Sequence, residues 1–536
     1  MANPPEPWFC GRQGGSGGNF FSRDTNGRVR GRRRFFMSRR APLVVTPSRT
    51  LTRRRFLQQL ALAGGAAAMG WPRWADAQTL PLDIGLPSPS NAPVDHIFVL
   101  MMENRSFDHH MGWLTGTSQQ TYTGIYDDPS QPLNGVTMGT HHLAPDYRGC
   151  GFVDPSHGWD GGRLQLRNES FLTGGNTDKF AIGYYLESDV EFYAKLARQF
   201  TMCDNYFCSV LGPTFPNREY MHSAQSGGIK NNALPPEVGY TSGFTWPTIW
   251  DKLEAAGISW AYYFVDLPAA LLWGPRLAKG LRHIEAFFAD AAAGTLPHVA
   301  FIDPGFTTGL RTDEHPFGDT RAGQAFAHNT VKAIIESPLW PRSAMFINYD
   351  EWGGFFDHVR PPRMPDDRAT DNDPAGANDF GQLGFRVPCT VISPYSRKGM
   401  LATTVLGLKS PKNPAGKATF VKAPARFYEH TSILKFIEWR FGLTPLTRRD
   451  AAAANIGTDL LDFTQAPRLD AAEIVEALPR PLVTSPPCPG EEFEGTPIPS
   501  PTHEIHDAFA HAMESGYFET VGWDQQLPTL ETLIGS

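Results

Sequence analysis

One stretch of the sequence places a threonine between two prolines, with an amide and a guanidinium close behind. Residues 211–224 read LGPTFPNREYMHSA, so Thr214 is followed by Asn217 and Arg218. A threonine hydroxyl is a weak nucleophile and needs a metal ion or a base to lower its pKa. An arginine beside it can pair with two phosphate oxygens at once. The stretch predicts a phosphoryl-transfer site or, in the simpler alternative, a rigid surface turn.

Oxygen ligands directly follow three apolar runs. Glu103 and Asn104 end the first run, Asp303 ends the second, and Asp350 with Glu351 ends the third. Carboxylate and amide oxygens suit hard divalent cations, and adjacent buried acids repel each other unless a cation lies near them. The alternative for the first pair is a polar strand end in which Asn104 caps a turn.

Two further segments carry histidines. His157 lies among glycines and prolines at 154–162, and Glu314 precedes His315 at 312–319. Such groups can donate protons or contact phosphate, although a histidine in a loop is often only solvated. Together with the threonine, the arginine and the oxygen ligands, they make up the set that metal-assisted phosphoryl transfer requires.

These residues need a frame that brings them together. Apolar runs predict buried strands, and amphipathic runs with helix end signals predict helices between them. The predicted strands are 95–104, 298–303, 343–351 and 387–394, and the predicted helices include 248–257, 324–337 and 431–442. This alternation predicts an α/β fold with a mainly parallel central sheet and helices on both faces. Ligands bind such sheets at the carboxyl ends of their strands.

The N-terminal region has the pattern of a twin-arginine export signal. Arg53, Arg54 and Arg55 precede a short run of small apolar residues that ends in an A-x-A site at 75–77. The run is too short to span a bilayer, and Met37 is an alternative start of the chain. We therefore expect residues 1–77 to direct export by the twin-arginine translocase to the periplasm or beyond.

Removal of that segment makes the remaining chain strongly acidic. It holds 14 of the 48 basic residues and 3 of the 55 acidic ones, which leaves 34 basic and 52 acidic residues and a net charge of −18. Such a charge argues against general nucleic-acid binding and against charge-driven attraction to anionic lipid.

Cysteine usage does not indicate a disulfide framework. Five cysteines follow the predicted signal, an odd and scattered set: Cys150, Cys203, Cys208, Cys389 and Cys488. Cys203 and Cys208 are close enough in sequence to pair, which export would permit, and the sequence leaves that pairing open.

Seven ordered segments carry a resemblance to a known family. They are ENRSFDH (103–109), HGWD (157–160), PTFPNREY (213–220), DEHP (313–316), YDEWGGFFDHV (349–359), GFRVP (384–388) and EHTSILKFIE (429–438). In these segments the chain resembles the bacterial phospholipase C and acid phosphatase (phosphoesterase) family of the alkaline phosphatase superfamily. The resemblance implies an alkaline phosphatase-like catalytic domain at 90–445, followed by a Pro-rich C-terminal extension at 446–536.

The resemblance also implies roles for the residues. Thr214 would take up the phosphoryl group as a phospho-threonine, while Arg218 and Asn217 would bind substrate. One divalent metal ion (Ca, Mg, Mn or Zn) would be held by Glu103, Asn104 and Asp350, with Glu351 beside them. His157 and His315, with Glu314 close by, would contact phosphate oxygens or serve the leaving group. His358 and His430 remain candidates for outer contacts or a second metal.

Two activities follow from the resemblance. The first is an exported phospholipase C that cleaves a glycerophospholipid such as phosphatidylcholine, in transient contact with a membrane surface. The second is an acid phosphatase acting on soluble phosphate esters. A lipid enzyme would need an apolar rim, for which 240–250 and 353–356 are candidates. An exported binding protein with a dead site would lack the nucleophile or a ligand, and a nucleotide enzyme would show a Walker-type loop.

Overall fold

The computed structural model describes residues 88–116, 121–126, 134–173, 177–306, 311–370, 378–412 and 420–483, together with 488, 511, 512, 515 and 517. The predicted export signal lies outside these residues, as does most of the C-terminal extension beyond residue 483. The chain divides into two units, 1–72 and 73–536, and every described residue belongs to the second. No helix in these ranges is long and apolar enough to cross a membrane.

The described residues form strands and helices in alternation. The strands are β1 His96–Met102, β2 Thr121–Tyr126, β3 Asn134–Gly139, β4 His141–His142, β5 Gly183–Tyr184, β6 Thr201–Met202, β7 Trp260–Phe264, β8 Leu281–His283, β9 Val299–Asp303, β10 Ser343–Tyr349, β11 Val359–Arg360, β12 Cys389–Ile392, β13 Met400–Leu401 and β14 Val421–Lys422. The α-helices are α1 Phe107–Thr115, α2 Trp159–Asn168, α3 Glu191–Gln199, α4 Thr214–Ser223, α5 Ile249–Ala255, α6 Ile284–Ala293, α7 Thr320–Glu336, α8 Ala402–Val405, α9 His430–Phe441, α10 Arg448–Ala452, α11 Ile456–Leu460 and α12 Ala471–Glu476. Short 3₁₀ segments occur at Pro89–Asn91, Lys179–Ile182, Pro235–Val238, Ala269–Gly280 and Trp340–Arg342.

Eight of the strands form the central sheet, in the order β13-β6-β12-β10-β1-β9-β7-β8. β1 pairs in parallel with both β9 and β10, and β7 pairs in parallel with β8 and β9. β12 runs antiparallel to both β10 and β6. The predicted α/β class with a mainly parallel sheet flanked by helices is therefore confirmed, and the four predicted strands are β1, β9, β10 and β12.

The central strands are buried because the flanking helices cover them. All seven residues of β10 are buried, and in β1 only the first residue is partly exposed. Continuous apolar runs of this kind are typical of parallel strands that are covered on both faces. The three predicted helices are found as α5, α7 and α9. The side chain of Glu429 caps the start of α9, and Gly442 ends it in a left-handed conformation at φ 67°.

Strand register brings the polar strand ends together. Met102 of β1 lies opposite Tyr349 of β10, so the residues that follow these two strands leave the sheet side by side. Asp303 is the last residue of β9, the other neighbour of β1. The carboxyl edge of three adjacent strands thus carries the predicted oxygen ligands.

Two features differ from the simplest expectations. The described disulfide joins Cys150 to Cys488 across 338 residues, whereas Cys203, Cys208 and Cys389 are buried thiols. Phe355 and Phe356 lie in the core, with 0% and 4% exposure, so the candidate rim at 353–356 is wrong.

Candidate active site

Thr214 is the first residue of α4, and its hydroxyl faces the end of β1. Its Oγ1 donates a hydrogen bond to Oε2 of Glu103 over 3.2 Å, and both residues are fully buried. Pro216 lies in the first turn, where no backbone N–H is needed for an intrahelical bond. The start of a helix carries partial positive charge, which favours an anion such as phosphate.

Asn217 shapes the turn that leads into this helix. Its side-chain Nδ2 donates to the carbonyl oxygens of Val210, Gly212 and Pro213, over 3.2, 2.8 and 3.2 Å. Its Oδ1 accepts from the backbone N–H of Val210 over 3.0 Å. The structure therefore places the Asn217 amide beneath the turn that positions Thr214, and these contacts differ from the predicted contact with substrate.

The ends of β1 and β10 bind each other through Asp350. Its Oδ1 accepts the backbone N–H groups of Asn104 over 3.0 Å and of Glu351 over 2.7 Å. The Glu351 Oε2 accepts the N–H of Gly353 over 2.7 Å. Asn104 adopts a left-handed conformation at φ 69°, which is uncommon for a non-glycine residue and is often found at functional sites.

Arg218 lies beneath the carboxylates and joins two of them. Its guanidinium binds Glu103 Oε1 over 2.6–2.8 Å, Asp303 Oδ1 over 2.8 Å and the carbonyl oxygen of Met101 over 3.2 Å. A further oxygen, Asp350 Oδ2, lies 3.8 Å from its Nε. These contacts direct the guanidinium to protein oxygens, in contrast to the predicted contact with phosphate. Asp303, the acid that ends β9, is therefore also part of the site.

Three buried carboxyl groups of this site surround one guanidinium. Glu103, Asp303 and Asp350 each have an oxygen near Arg218, at 2.6, 2.8 and 3.8 Å. Burial and the neighbouring Asp350 raise the pKa of Glu103 well above its usual value, and Arg218 opposes this shift. Asp350 Oδ2 and both polar atoms of the Asn104 side chain are buried without a hydrogen bond. These residues fit a divalent cation.

His157 and His315 lie together in two neighbouring loops. Their ring centroids are 5.8 Å apart at an angle of 75°, and each ring is 1% exposed. His157 Nδ1 donates to the carbonyl oxygen of Pro155 over 2.8 Å, and His315 Nδ1 donates to that of Pro316 over 2.5 Å. Asp154 lies beside them. The sequence analysis does not name this residue as a candidate, and its place in the His157 loop is the only feature of the sequence that points to it.

Glu314 is held by tyrosines. Its Oε1 accepts from the hydroxyl of Tyr193 over 2.9 Å, and its Oε2 accepts from that of Tyr349 over 2.8 Å. Burial raises the pKa of this carboxyl to about 8, although the two tyrosines oppose the shift. The backbone is left-handed at φ 75°. The Glu314 side chain thus joins α3 to β10 while its neighbour His315 faces His157.

The two remaining histidine candidates occupy different places. His430 Nε2 donates to the carbonyl oxygen of Asp350 over 2.7 Å, and burial lowers the pKa of this histidine to about 3. It therefore supports the end of β10 as a neutral ring. His358 instead binds Asp108 over 2.5 Å, within a network that includes Arg386.

A cavity of about 790 Å³ lies next to the His157 loop. Its wall includes the two residues that flank this histidine, Ser156 and Gly158. Lys230 and Asp160 are its charged residues, and Tyr240 contributes an aromatic ring. His157, His315 and Thr214 are not among the residues that line it.

Comparison with known proteins shows which proteins this chain is similar to. The chain is 31% identical over 457 residues to phospholipase C A of Mycobacterium tuberculosis, covering 74% of this chain and 82% of the relative. It is 30% identical over 412 residues to non-specific phospholipase C6 of Arabidopsis thaliana, covering 71% and 74%. A solved structure from Vibrio parahaemolyticus, a protein in the alkaline phosphatase superfamily, aligns with a TM-score of 0.31 and 10% identity over 71% of this chain and 76% of that one.

The family match confirms the resemblance seen in the sequence motifs and the expected enzyme class, a phosphoric ester hydrolase. The matched range includes the sequence motifs from Glu103 to His430. Because residues 94–444, more than half of the chain, match the phosphoesterase family, the chain belongs to the phosphoesterase family.

Proposed function

We propose that this chain is an exported phospholipase C that hydrolyses a glycerophospholipid, such as phosphatidylcholine, to diacylglycerol and a phosphorylated headgroup. The observation that carries the proposal is the Thr214 hydroxyl at the start of α4, 3.2 Å from Glu103 and next to a buried set of oxygens that fits a divalent cation. Relatives named phospholipase C support the lipid substrate.

The reaction begins at the threonine. Thr214 Oγ1 gives up its proton to water and attacks phosphorus. The bond from phosphorus to the glycerol oxygen breaks, this oxygen takes up a proton from water, and diacylglycerol leaves. Glu103 Oε2 accepts the hydrogen bond of the hydroxyl and holds the oxygen in line. Arg218 fixes Glu103 from below. Glu103, Asn104 and Asp350, with Glu351 beside them, would hold a divalent ion, which would supply positive charge that favours the ionised hydroxyl.

The second half of the reaction restores the threonine. Water attacks the phospho-threonine, the bond from phosphorus to Thr214 Oγ1 breaks, and the phosphorylated headgroup leaves. The attacking water gives up one proton, Thr214 Oγ1 takes up one proton, and the restored hydroxyl again donates its hydrogen bond to Glu103. His157 and His315 lie together on the side of the leaving group. The cavity that borders the His157 loop through Ser156 and Gly158 would receive this group.

A phosphomonoesterase acting on soluble esters is the second candidate. The cavity next to His157 has polar and charged walls, including Asp160 and Lys230. One of the two expected apolar rims, at 353–356, lies in the core. These observations favour a small polar leaving group and keep the phosphatase as the alternative.

Export remains part of the proposal. The twin-arginine pattern supports passage through the translocase to the periplasm or the medium, and the substrate would bring the enzyme into transient contact with a membrane surface. The disulfide between Cys150 and Cys488 suits an oxidising compartment. The acidic charge of the chain gives no support for a nucleic-acid partner.

The direct test replaces the proposed nucleophile. We expect Thr214→Ala to abolish release of diacylglycerol from phosphatidylcholine, because no other group takes the place of its oxygen. Thr214→Ser should retain measurable activity, and chelator should remove the activity of the wild type. The control Thr404→Ala alters an exposed threonine of α8 and should behave as the wild type.

The same assay separates the two activities. It measures diacylglycerol from phosphatidylcholine vesicles and nitrophenol from p-nitrophenyl phosphate. Release of nitrophenol without diacylglycerol would support the phosphatase alternative. Activity that survives Thr214→Ala would exclude this residue as the nucleophile and contradict the mechanism.

A further inference from the structure

The cavity of about 790 Å³ adjoins the turn that carries Thr214. Trp159, one of its wall residues, packs on this turn, because a Cβ built at Gly212 would lie 3.1 Å from the Trp159 ring. Arg163 holds the two together, since its Nη1 donates to the carbonyl oxygens of Trp159 over 2.9 Å and of Leu211 over 2.6 Å. One wall of the cavity is thus attached to the residues just before the proposed nucleophile.

Another part of the wall is attached just after the nucleophile. Residues 227–231 line the cavity, and Asn232 follows them directly. The Oδ1 of Asn232 accepts the backbone N–H of Phe215 over 2.9 Å. A ligand in the cavity would therefore lie next to a phosphate held at Thr214, between two segments that the turn itself positions.

The wall of the cavity carries one cation and one anion. Lys230 Nζ donates to Asn378 Oδ1 over 2.5 Å and lies 5.3 Å from the centroid of the Trp159 ring. Asp160 is exposed in the first turn of α2. Because both side chains belong to the same wall, their opposite charges act on the same space. These charges match a ligand that carries both an ammonium and a carboxylate.

A choline group matches the cavity less well. Quaternary ammonium groups are typically bound between aromatic rings. Here the Trp159 ring already contacts two cations, the Arg163 guanidinium at 3.5 Å and the Lys230 ammonium. Tyr240 is the other aromatic residue of the described wall. Lys230 would repel a further cation near this ring, whereas it would attract a carboxylate.

We propose that this cavity binds the headgroup of the substrate and favours one with both an ammonium and a carboxylate, as in phosphatidylserine. Asp160 would pair with the ammonium and Lys230 with the carboxylate. The inference rests on the proposed function, in which Thr214 takes up the phosphate of the same headgroup. Soluble O-phosphoserine carries the same group, so the chemistry that the cavity recognises is that of a phosphorylated serine.

Phosphatidylserine and phosphatidylethanolamine test the role of the carboxylate, because their headgroups differ in that group alone. Short-chain forms are used below the concentration at which they form micelles, so that repulsion between the acidic chain and an anionic surface does not enter. We expect kcat/KM for diacylglycerol release to be about tenfold higher with phosphatidylserine, since hydrogen bonds between charged groups contribute a factor on that order.

Two variants assign this preference to the two charges. Lys230→Met should remove it by lowering kcat/KM for phosphatidylserine alone, and Asp160→Asn should lower kcat/KM for both lipids. The matched control Lys332→Met alters a lysine of α7 that is 41% exposed and pairs with Glu336, and it should behave as the wild type. An equal loss with both lipids in Lys230→Met would show a structural role for this lysine and contradict the selection.

Binding of the free headgroups gives a readout that needs no turnover. Calorimetric titration of the Thr214→Ala protein should give a Kd for O-phosphoserine about tenfold lower than that for phosphoethanolamine, for the same reason. Adding Lys230→Met should make the two values equal. Equal values for both headgroups with Lys230 in place, or equal kcat/KM for the two lipids in the wild type, would overturn the proposal even where a variant fails to fold.

Failure of the selectivity and failure of the proposed function would be seen separately. Hydrolysis of phosphatidylcholine with no preference for phosphatidylserine over phosphatidylethanolamine would overturn the selectivity and leave the phospholipase. Release of phosphate from O-phosphoserine, without diacylglycerol from any of the lipids, would overturn the lipid substrate and support recognition of phosphorylated serine in a soluble ester.

Discussion

At the scale of single residues, the contacts of Arg218 lead to a prediction. Its guanidinium binds Glu103, Asp303 and the Met101 carbonyl oxygen at once. A lysine keeps the charge but does not span three acceptors in a fixed plane. We expect Arg218→Lys to lower the free energy of unfolding by about 2–3 kcal/mol, because hydrogen bonds to charged groups contribute on that order. We also expect weaker metal retention, measured as metal content after dialysis.

A surface pair provides the matched control. Arg198 is 57% exposed and binds Glu187, so Arg198→Lys should change the free energy of unfolding by less than about 1 kcal/mol. Denaturant unfolding measures both variants. A raised KM with unchanged unfolding in Arg218→Lys would instead favour the direct contact with phosphate that the sequence suggests.

The sequence predicted which residues come together better than it predicted what they touch. Glu103, Asn104, Asp350 and Thr214 meet because strand ends and a helix start share one edge of the sheet, and the strand ends are visible as apolar runs that stop at acids. Arg218 lies one helical turn beyond Thr214, and its direction depends on how α4 packs. That packing involves distant segments, so the spacing of residues alone did not reveal it.

At the scale of elements, a buried acid between two helices leads to a pH prediction. Glu438 of α9 is 2% exposed and lies near Asp450 of α10, which accepts the N–H groups of Leu446 and Thr447. Burial, followed by Asp450, raises the pKa of Glu438 from 4.5 to about 10. The unfolded chain releases this proton first, so the carboxyl's contribution to stability is complete below about pH 4.5 and is lost as pH rises to about 10.

The variant Glu438→Gln removes the titrating group and keeps the shape of the side chain. Between pH 5 and pH 8 the free energy of unfolding of the wild type should fall relative to that of Glu438→Gln. We expect the difference between the two proteins to change by at least about 1 kcal/mol, since each unit of pKa shift corresponds to about 1.4 kcal/mol. Denaturant unfolding at both pH values measures the difference. Glu476→Gln, on an exposed part of α12, should show no such change. Parallel pH curves for wild type and Glu438→Gln would contradict the raised pKa.

Elements were predictable where their hydrophobic period was clear. β1, β9 and β10 are long apolar runs, and α9 ends at Gly442 as predicted, whereas α7 begins at Thr320 and not at the predicted residue 324. The antiparallel direction of β12 was not visible, because a four-residue buried strand has the same composition in either direction. Two-residue strands such as β6 and β13 carry too little sequence signal to be predicted at all.

At the scale of the whole molecule, the disulfide carries the last prediction. Cys150 and Cys488 are joined across 338 residues, a pairing that sequence proximity could not indicate. A crosslink that closes a long loop restricts the unfolded chain and contributes up to about 5 kcal/mol. We expect reductant to lower the thermal midpoint of the wild type. The double variant Cys150→Ser with Cys488→Ser should have this lower midpoint even without reductant.

The double variant also supplies the control. Cys203, Cys208 and Cys389 are buried thiols, so reductant has no further described bond to break and should leave the midpoint of the double variant unchanged. A wild-type midpoint that does not respond to reductant, with the thiols of Cys150 and Cys488 shown by alkylation to be reduced, would mean that the bond does not stabilise the fold. Since disulfides persist in oxidising compartments, material made in the cytoplasm should show the reduced midpoint and exported material the higher one. A difference in thermal midpoint between the two preparations would show that export stabilises the fold around the site by allowing this disulfide to form.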